Sequence, residues 1–161
     1  MSRSFLRTLS PVNRECSIVR SLEIVGERWT FLILLNALSG MTRFGDFQTS
    51  LGISPDLLSD RLTTLVEAGV MEKRSYRQPG ERVRYAYHLT PAGEELRIVL
   101  GALQQWGDAH RPPDDGPTSE RRSRTTGERL SVAFVDGSGQ EVPLEDVRFV
   151  MCRTPAASTG A

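Results

Sequence analysis

The sequence contains few of the residues and segments that mark exported, membrane-spanning or metal-binding proteins. Its 161 residues include only two cysteines, and Cys152 has neither a Cys-x-x-Cys partner nor a nearby histidine, so no zinc site is predicted. The longest apolar run, residues 29–38, is about half the length of a membrane-spanning helix. Because no apolar segment of signal-peptide length follows Arg3 and Arg7, we expect a cytoplasmic protein without structural disulfides.

Charge of neither sign is in excess. The chain carries 20 Lys and Arg residues against 20 Asp and Glu residues, and its formal net charge is zero. This balance argues against capture of nucleic acid through overall positive charge. Any nucleic-acid binding would therefore depend on local clusters of basic residues.

The residue patterns of enzymes are also missing. The sequence offers no glycine-rich phosphate loop, acid pair, metal-ligand set or nucleophile–base arrangement. The two histidines, His88 and His110, have no ligand or triad partner at a meaningful spacing. We therefore predict neither enzymatic activity nor a bound cofactor.

What the sequence does contain is a series of apolar repeats with helical spacing. A first helix is predicted from Cys16 to about Val25, and Gly26 ends it. A second helix is predicted over residues 29–38; it is apolar almost all round and therefore expected in the core. A short third helix is predicted around RFGDF, with Phe44, Phe47 and Leu51 pointing inward.

The clearest local signals lie between residues 52 and 69. Gly52 predicts a turn, Ser54 can cap the following helix with its side chain, and Pro55 suits the first helical position. Gly69 is typical of a residue that closes a helix. The apolar stripe of this helix consists of Leu58, Leu62, Leu65 and Val66.

After Gly69 the apolar period changes from 3.6 to 2, which predicts strands. Two alternating segments flank a Pro-Gly turn and form a predicted hairpin. Thr90 and Pro91 then begin a long last helix as its cap and first residue. A short helix, a tight turn, a longer helix and a hairpin in this order predict a winged helix-turn-helix.

The chain is predicted to have one main domain and a small appendage. The fold class is α+β: a mainly helical winged helix-turn-helix with a two-stranded wing, plus a small C-terminal β-hairpin. The predicted segments are a flexible arm (1–15), the winged-helix domain (16–110), a linker rich in Pro, Gly, Ser and charge (111–127), a small β appendage (128–153) and a disordered tail (154–161).

Several ordered blocks of the sequence carry a family resemblance. They are Cys16, the block GERWTFLILLNAL around Trp29, RFGDF (Arg43 to Phe47), GIS (Gly52 to Ser54), LSDRLTTLVEAGV, Tyr85, LTPAG (Leu89 to Gly93), and Trp106 with Gly107. Together these blocks resemble the HxlR-type family of bacterial winged-helix transcriptional regulators, whose architecture is related to that of the MarR group. The resemblance implies a homodimer, joined through the first and last helices, that binds a near-palindromic operator in double-stranded DNA, with repression as the commoner outcome.

Two features of the sequence depart from the family pattern. Glu27 and Arg28 stand where a lysine usually precedes the tryptophan. Asp56 and Asp60 stand on the predicted recognition helix, where basic or amide side chains are usual. The second departure leaves the operator sequence open.

The predicted DNA-binding residues fall on the recognition helix and on the wing. Asp60 could accept a hydrogen bond from cytosine, and Arg61 could reach guanine or phosphate, although an ion pair within the protein is the alternative for Arg61. The arginines of the wing could clamp phosphate or enter a minor groove, or could merely be a solvated, charged strand edge. The full set is Arg43, Ser54, Pro55, Asp56, Ser59, Asp60, Arg61, Thr63, Arg77, Arg82 and Arg84.

Cys16 is a candidate redox sensor. It lies near the start of the first helix, where the helix dipole can favour the thiolate form, and matching cysteines of several relatives sense oxidants or quinones. The alternative is a thiol that serves as a small apolar residue. A small molecule or an oxidant is therefore a possible effector, and no membrane partner is expected.

Two further alternatives stay open. Zero net charge and two aspartates on the recognition helix are also compatible with a protein-interaction module that does not bind DNA. Five aromatic residues could line a ligand cavity, although aromatics at helical spacing usually form core. These five are Trp29, Phe31, Phe44, Phe47 and Trp106.

Overall fold

The computed structural model describes residues 16–77, 80 and 82–150. The predictions for the arm (1–15), for most of the Pro-Gly turn, for Cys152 and for the tail (154–161) lie outside these residues. The chain divides into two compact units, Met1–Leu100 and Gly101–Ala161. The predicted boundaries at residues 110 and 127 stay predictions.

The first unit contains a helical body and a two-stranded sheet. The long last helix begins in this unit and continues into the second. The elements are α1 (Ser17–Val25), α2 (Arg28–Leu38), α3 (Phe44–Leu51), α4 (Pro55–Glu67), β1 (Met71–Tyr76), β2 (Arg84–Leu89) and α5 (Pro91–His110).

The hydrophobic core of the first unit lies where α2, α3 and α4 meet the start of β1. Ile33, Leu34 and Phe47 are fully buried there. The predicted stripe of α4 faces the same core, because Leu58, Leu62 and Leu65 are also fully buried, as expected for one face of a helix. Met71 at the start of β1 closes the core from the side of the sheet.

Two helices differ in detail from the sequence-based prediction. Cys16 does not lie within α1 but immediately before it, as the N-cap residue in an extended conformation. In α2 the apolar residues are not all buried, since Leu32 and Leu35 are exposed while Thr30, Ile33 and Leu34 face the core. One face of α2 is thus core and the other is an apolar surface.

Strands β1 and β2 pair antiparallel, with a register from Met71 opposite Leu89 to Tyr76 opposite Arg84. The segment before α3 joins the same sheet. Arg43 forms an isolated antiparallel bridge with Ala86, and the Tyr87 N–H donates to the Thr42 carbonyl at 2.7 Å. The start of α3 is therefore tied directly to the wing.

Thr90 caps α5, as predicted, and also anchors it. Its hydroxyl oxygen accepts the Gly93 N–H at 3.2 Å and donates to the Gly69 carbonyl at 2.6 Å. The Thr90 N–H donates to the Val70 carbonyl. Gly93 is buried against the same backbone, where a Cβ atom would lie 2.2 Å from the Val70 oxygen.

The second unit contains the end of α5 and a small hairpin. Strands β3 (Phe134–Val135) and β4 (Glu141–Val142) pair antiparallel, and a 3₁₀ turn follows at Leu144–Asp146. Asp136 holds the hairpin turn, because its carboxylate accepts hydrogen bonds from Ser138 and from the Gln140 N–H, which lower the pKa of that carboxyl. The small C-terminal β-hairpin of the predicted fold class is confirmed.

The segment predicted as a linker makes polar contacts with the end of α5. The Gln104 amide donates to the Ser119 carbonyl at 2.9 Å, and Arg121 pairs with Asp108 at 3.3 Å. Arg122 and Arg129 form a β-bridge. These anchors are hydrogen bonds and an ion pair, which a composition without apolar residues does not reveal.

Across the described residues, no helix has the length and apolar character that a membrane crossing requires.

We expect Gly93→Ala to destabilise the first unit by about 1–3 kcal/mol, because its methyl group would overlap the Val70 carbonyl. Gly45→Ala is the matched control: this helical glycine has open space around its missing side chain, so we expect the same or slightly higher stability. Urea unfolding of both variants measures the difference. Equal stabilities would show that the packing at Gly93 is not as tight as the structure describes.

Candidate nucleic-acid interface

A three-residue turn joins α3 to α4 and sets the two helices into a helix-turn-helix. Gly52 ends α3 in a left-handed conformation, with a φ of +61°, which glycine adopts without strain. Its N–H donates to the Gln48 carbonyl at 2.9 Å. Ile53, the second residue of the turn, is buried in the hydrophobic core and so anchors the turn to it.

Helix α4 presents a polar face opposite its buried leucines. Pro55 occupies its first position, as predicted. Ser54 is the N-cap residue in an extended conformation, but its side chain makes no capping hydrogen bond, so that prediction is wrong. Ser54 is exposed, and water can satisfy the free N–H groups there. The exposed residues of the first three turns are Pro55, Asp56, Ser59, Asp60 and Thr63.

Arg61 does not share the exposure of these neighbours. Its side chain is only 22% exposed and lies 3.9 Å from the Glu27 carboxylate, which precedes α2. Its Nε is buried and has no hydrogen-bond partner among the described residues. This placement fits the ion-pair alternative for Arg61, in which the side chain links α4 to α2.

The wing carries exposed positive charge along and beyond its strands. Arg84 begins β2, Arg77 follows β1 and Arg82 precedes β2; all three are exposed. Glu72 offsets part of this positive charge by forming an ion pair with Arg74. The wing is therefore one place where this neutral chain gathers basic side chains.

Arg43 adds a further cation where the wing meets α3. Its guanidinium lies 5.4 Å from the centre of the Tyr76 ring. Both residues line a surface cleft of about 460 Å³. Arg43 is among the predicted DNA-binding residues but Tyr76 is not, and its place in the alternating pattern of β1 was the only available signal. The other lining residues are Phe44, Gly45, Asp46, Arg84, Tyr85 and Tyr87.

The aromatic residues considered for a ligand cavity divide between two environments. Phe47 is fully buried, and Trp29, Phe31 and Phe44 pack against the hydrophobic core of the first unit. In the second unit Trp106 is 56% exposed and contacts His110. The first four aromatics therefore pack in or against the core, as the alternative to a ligand cavity predicts, and Phe44 also lines the surface cleft.

Cys16 is exposed at the start of α1, and its carbonyl accepts the Arg20 N–H at 3.0 Å. No group of three or more potential metal ligands occurs in the part of the chain that the structure describes.

Comparison with known proteins matches this geometry to a family. The family model described as HxlR-like helix-turn-helix matches residues 24–115, which is more than half of the chain. The protein belongs to the HxlR family. The predicted resemblance is thereby confirmed.

Similar proteins and structures point the same way. The chain is 40% identical over 132 residues to Rv3095, an uncharacterized HTH-type transcriptional regulator of Mycobacterium tuberculosis, across 81% of this chain and 82% of the relative. The structure of PA1607, a candidate transcription factor, is 33% identical with a TM-score of 0.73, over 84% of this chain and 94% of that one. PA1374 of Pseudomonas aeruginosa, also a candidate transcription factor, is 41% identical with a TM-score of 0.60, over 89% and 96% of the two chains.

These findings establish the general role of the HxlR-family protein. It is a transcriptional regulator with a helix-turn-helix DNA-binding domain. Its family is one of transcription regulators and not of enzymes. The winged helix-turn-helix fold class is also confirmed.

Proposed function

We propose that this HxlR-family regulator represses transcription as a homodimer bound to a near-palindromic operator. The observation that carries the proposal is the division of α4: three leucines are fully buried, whereas the opposite side exposes polar residues. A major groove admits one helix, whose N-terminal residues come nearest to the base edges. The N-terminal half of α4 therefore supplies the base contacts.

Individual residues of α4 differ in what they can read. Ser59 can donate to or accept from a base edge, and Thr63 can do the same one turn later. Asp60 accepts only, so cytosine with its exocyclic amine is the base that suits it. Asp56 repels phosphate and tunes the local field, while Ser54 and Pro55 place the start of the helix.

The wing supplies sequence-independent affinity. Arg77, Arg82 and Arg84 are exposed, and arginines on a narrow hairpin can neutralise phosphates or enter a minor groove. Arg61 contributes through the orientation of α4, because its side chain is directed to Glu27.

We expect Arg82→Ala to weaken binding to every duplex. The negative slope of log K against log salt should become less steep by about 0.9 for each lost phosphate contact. The same change is expected for Arg84→Ala. Ser59→Ala should instead change base preference at one operator position, with little effect on the slope. Titrations of operator and scrambled duplex at several salt concentrations separate these effects.

The control for charge is Arg97→Ala on α5, which removes the same charge from a residue paired with Glu94. If the wing variants bind like the parent, or if Arg97→Ala gives the same slope change, the wing is not the phosphate-binding element. The operator itself is obtained by retaining genomic fragments on the purified protein and eluting them with salt.

Homodimer formation is supported by the apolar residues that the first unit leaves exposed. Ile18 and Leu22 on α1 are 61% and 49% exposed, and Ile98 on α5 is 67% exposed. Ile18 and Leu22 lie in successive turns of α1, and large apolar side chains exposed side by side are unusual for a monomer surface. The continuation of α5 exposes Leu103 and Trp106 as well. The first and last helices therefore provide the pairing surface.

We expect Ile98→Glu to convert the dimer to a monomer at micromolar concentration, because the substitution places a charge within the apolar pairing surface. Thr49→Glu on the exposed side of α3 adds the same charge elsewhere and should leave the dimer intact. Sedimentation equilibrium measures both. A monomeric parent, or a dimeric Ile98→Glu variant, would contradict the proposed surface.

A redox effector acting on Cys16 is a further part of the proposal. The thiol is exposed and stands immediately before α1, so a soluble reagent can reach its sulfur. An electrophile such as a quinone could then add to the sulfur. Because Cys16 precedes α1, an adduct would lie beside the proposed pairing surface.

We expect one equivalent of p-benzoquinone to add to Cys16 and to release bound DNA. The test uses the Cys152→Ser background, in which an added mass reports on Cys16 alone. Cys16→Ser in the same background should gain no mass and should stay on DNA. Release of DNA from both variants, or an adduct without release, would count against Cys16 as the sensor.

A protein-interaction module is the second candidate, and the exposed Asp56 and Asp60 on α4 favour it. Like charges beside the DNA backbone oppose binding. The two candidates differ in a simple observation: a DNA-binding regulator retains genomic fragments at low salt and loses them at high salt, whereas an interaction module retains none.

A further inference from the structure

Cation–π contacts lie on both faces of the wing. Arg43 lies over Tyr76, which is paired across the ladder with Arg84. Lys73 lies over Tyr85, with its Nζ 4.1 Å from the ring centre. Residues 73 and 76 differ by an odd number, so their side chains emerge on opposite faces of β1. The wing therefore has one face with two arginines around a tyrosine and another with a lysine over a tyrosine.

The backbone of Arg43 is held from two directions. It bridges to Ala86 of β2, and its carbonyl accepts the N–H groups of Asp46 and Phe47 at 3.1 Å as α3 begins. The side chain has no ion pair with any carboxylate within the described ranges. Its guanidinium is therefore placed by the bridge and by the Tyr76 ring, and its hydrogen-bond donors are not used by an acidic partner.

We propose that the Arg43–Tyr76–Arg84 cluster, here called the wing-root cluster, is a binding site for a phosphate of the DNA backbone. This inference rests on the proposed DNA-binding function and deepens it: Arg43 and Arg84 belong to the predicted DNA-binding residues, and Tyr76 is the residue added to them. Arg43 is the residue that contacts the phosphate, because a guanidinium offers a planar pair of donors to phosphate oxygens. Tyr76 is a positioning residue that holds the guanidinium in place.

The surroundings of the wing-root cluster fit a DNA backbone better than a compact ion. The cleft of about 460 Å³ is larger than a phosphate group needs, and it has room for an attached deoxyribose. Gly45 leaves open space at its position beside the cleft. The N-terminus of α3 adds a positive field, which Asp46 in its first turn partly offsets.

The test needs no knowledge of the operator, because contacts to phosphate act on any sequence. The full chain is titrated with a 30-bp random duplex (roughly the span of two half-sites) over a range of salt concentrations. We expect the slope of log K against log salt to be less steep by about 0.9 in Arg43→Ala than in the parent. The loss of affinity between 50 and 200 mM salt is then roughly threefold smaller in the variant.

Tyr76 separates positioning from charge. We expect Tyr76→Leu to weaken binding about two- to fivefold, as the loss of one exposed cation–π contact predicts, while the salt slope stays close to that of the parent. Tyr76→Phe keeps the ring and should bind within about twofold of the parent. In the Arg43→Ala background, Tyr76→Leu should have no further effect, because the residue it positions is gone.

Arg97→Ala is the matched control, since it removes an equal charge from α5, where Arg97 is paired with Glu94 and does not line the cleft. Circular dichroism and thermal unfolding establish that each variant stays folded. Arg43→Gln removes the charge but keeps a long polar side chain, and it is the second variant if Arg43→Ala does not fold. A parent that binds the duplex while Arg43→Ala and Arg97→Ala have equal slopes overturns the wing-root site alone. A parent that binds no duplex overturns the DNA-binding proposal and this site with it.

One further outcome is decisive for the ligand. Suppose that the parent binds inorganic phosphate and Arg43→Ala does not, while the salt slope for DNA is the same in both proteins. The cluster is then a small-anion site and the proposal is wrong.

Discussion

Burial of one leucine stripe determines which surface this regulator can offer to DNA. Leu58, Leu62 and Leu65 have no exposed surface, and removing any one of them would cost about 2–5 kcal/mol. A helix with 3.6 residues per turn that buries these positions must direct Ser59 and Thr63 away from the core. The outward residues, to which the proposed function assigns the base contacts, can therefore vary while the buried leucines keep the helix in place.

The second constraint joins the helix-turn-helix to the wing. The Tyr87 N–H donates to the Thr42 carbonyl, and the next residue, Arg43, bridges to Ala86. Because these contacts involve backbone atoms, they do not depend on which side chains face the solvent. Thr90 adds a third connection by bonding to the end of α4 and to the start of α5. A shift of the wing would thus also shift α3.

The helices and strands could be predicted from the sequence, but the orientation of individual side chains could not. Gly52, Pro55 and Gly69 predicted element boundaries because each has a backbone preference that acts locally. Ser54 was predicted to cap α4 and does not, since a rotamer and solvent decide that bond. Arg61 was expected on the outer face, and only the long-range approach of Glu27 turns it inward. The anchors of residues 111–127 were missed for the same reason, because polar pairs distant in sequence leave no periodic signal.

The acidic residues of α4 acquire a role when they are considered together with the neutral net charge. On the proposed interface, Asp56 and Asp60 oppose every phosphate backbone equally, whereas a cytosine amine can offset the cost for Asp60 at one position. Binding to random DNA is thus weakened more than binding to the matched operator. Any such regulator must select its site among many competing sequences. Repulsion that only the correct base relieves increases the ratio of its affinity for the operator to its affinity for other sequences. The arginines of the wing then need to supply only the sequence-independent part of the affinity.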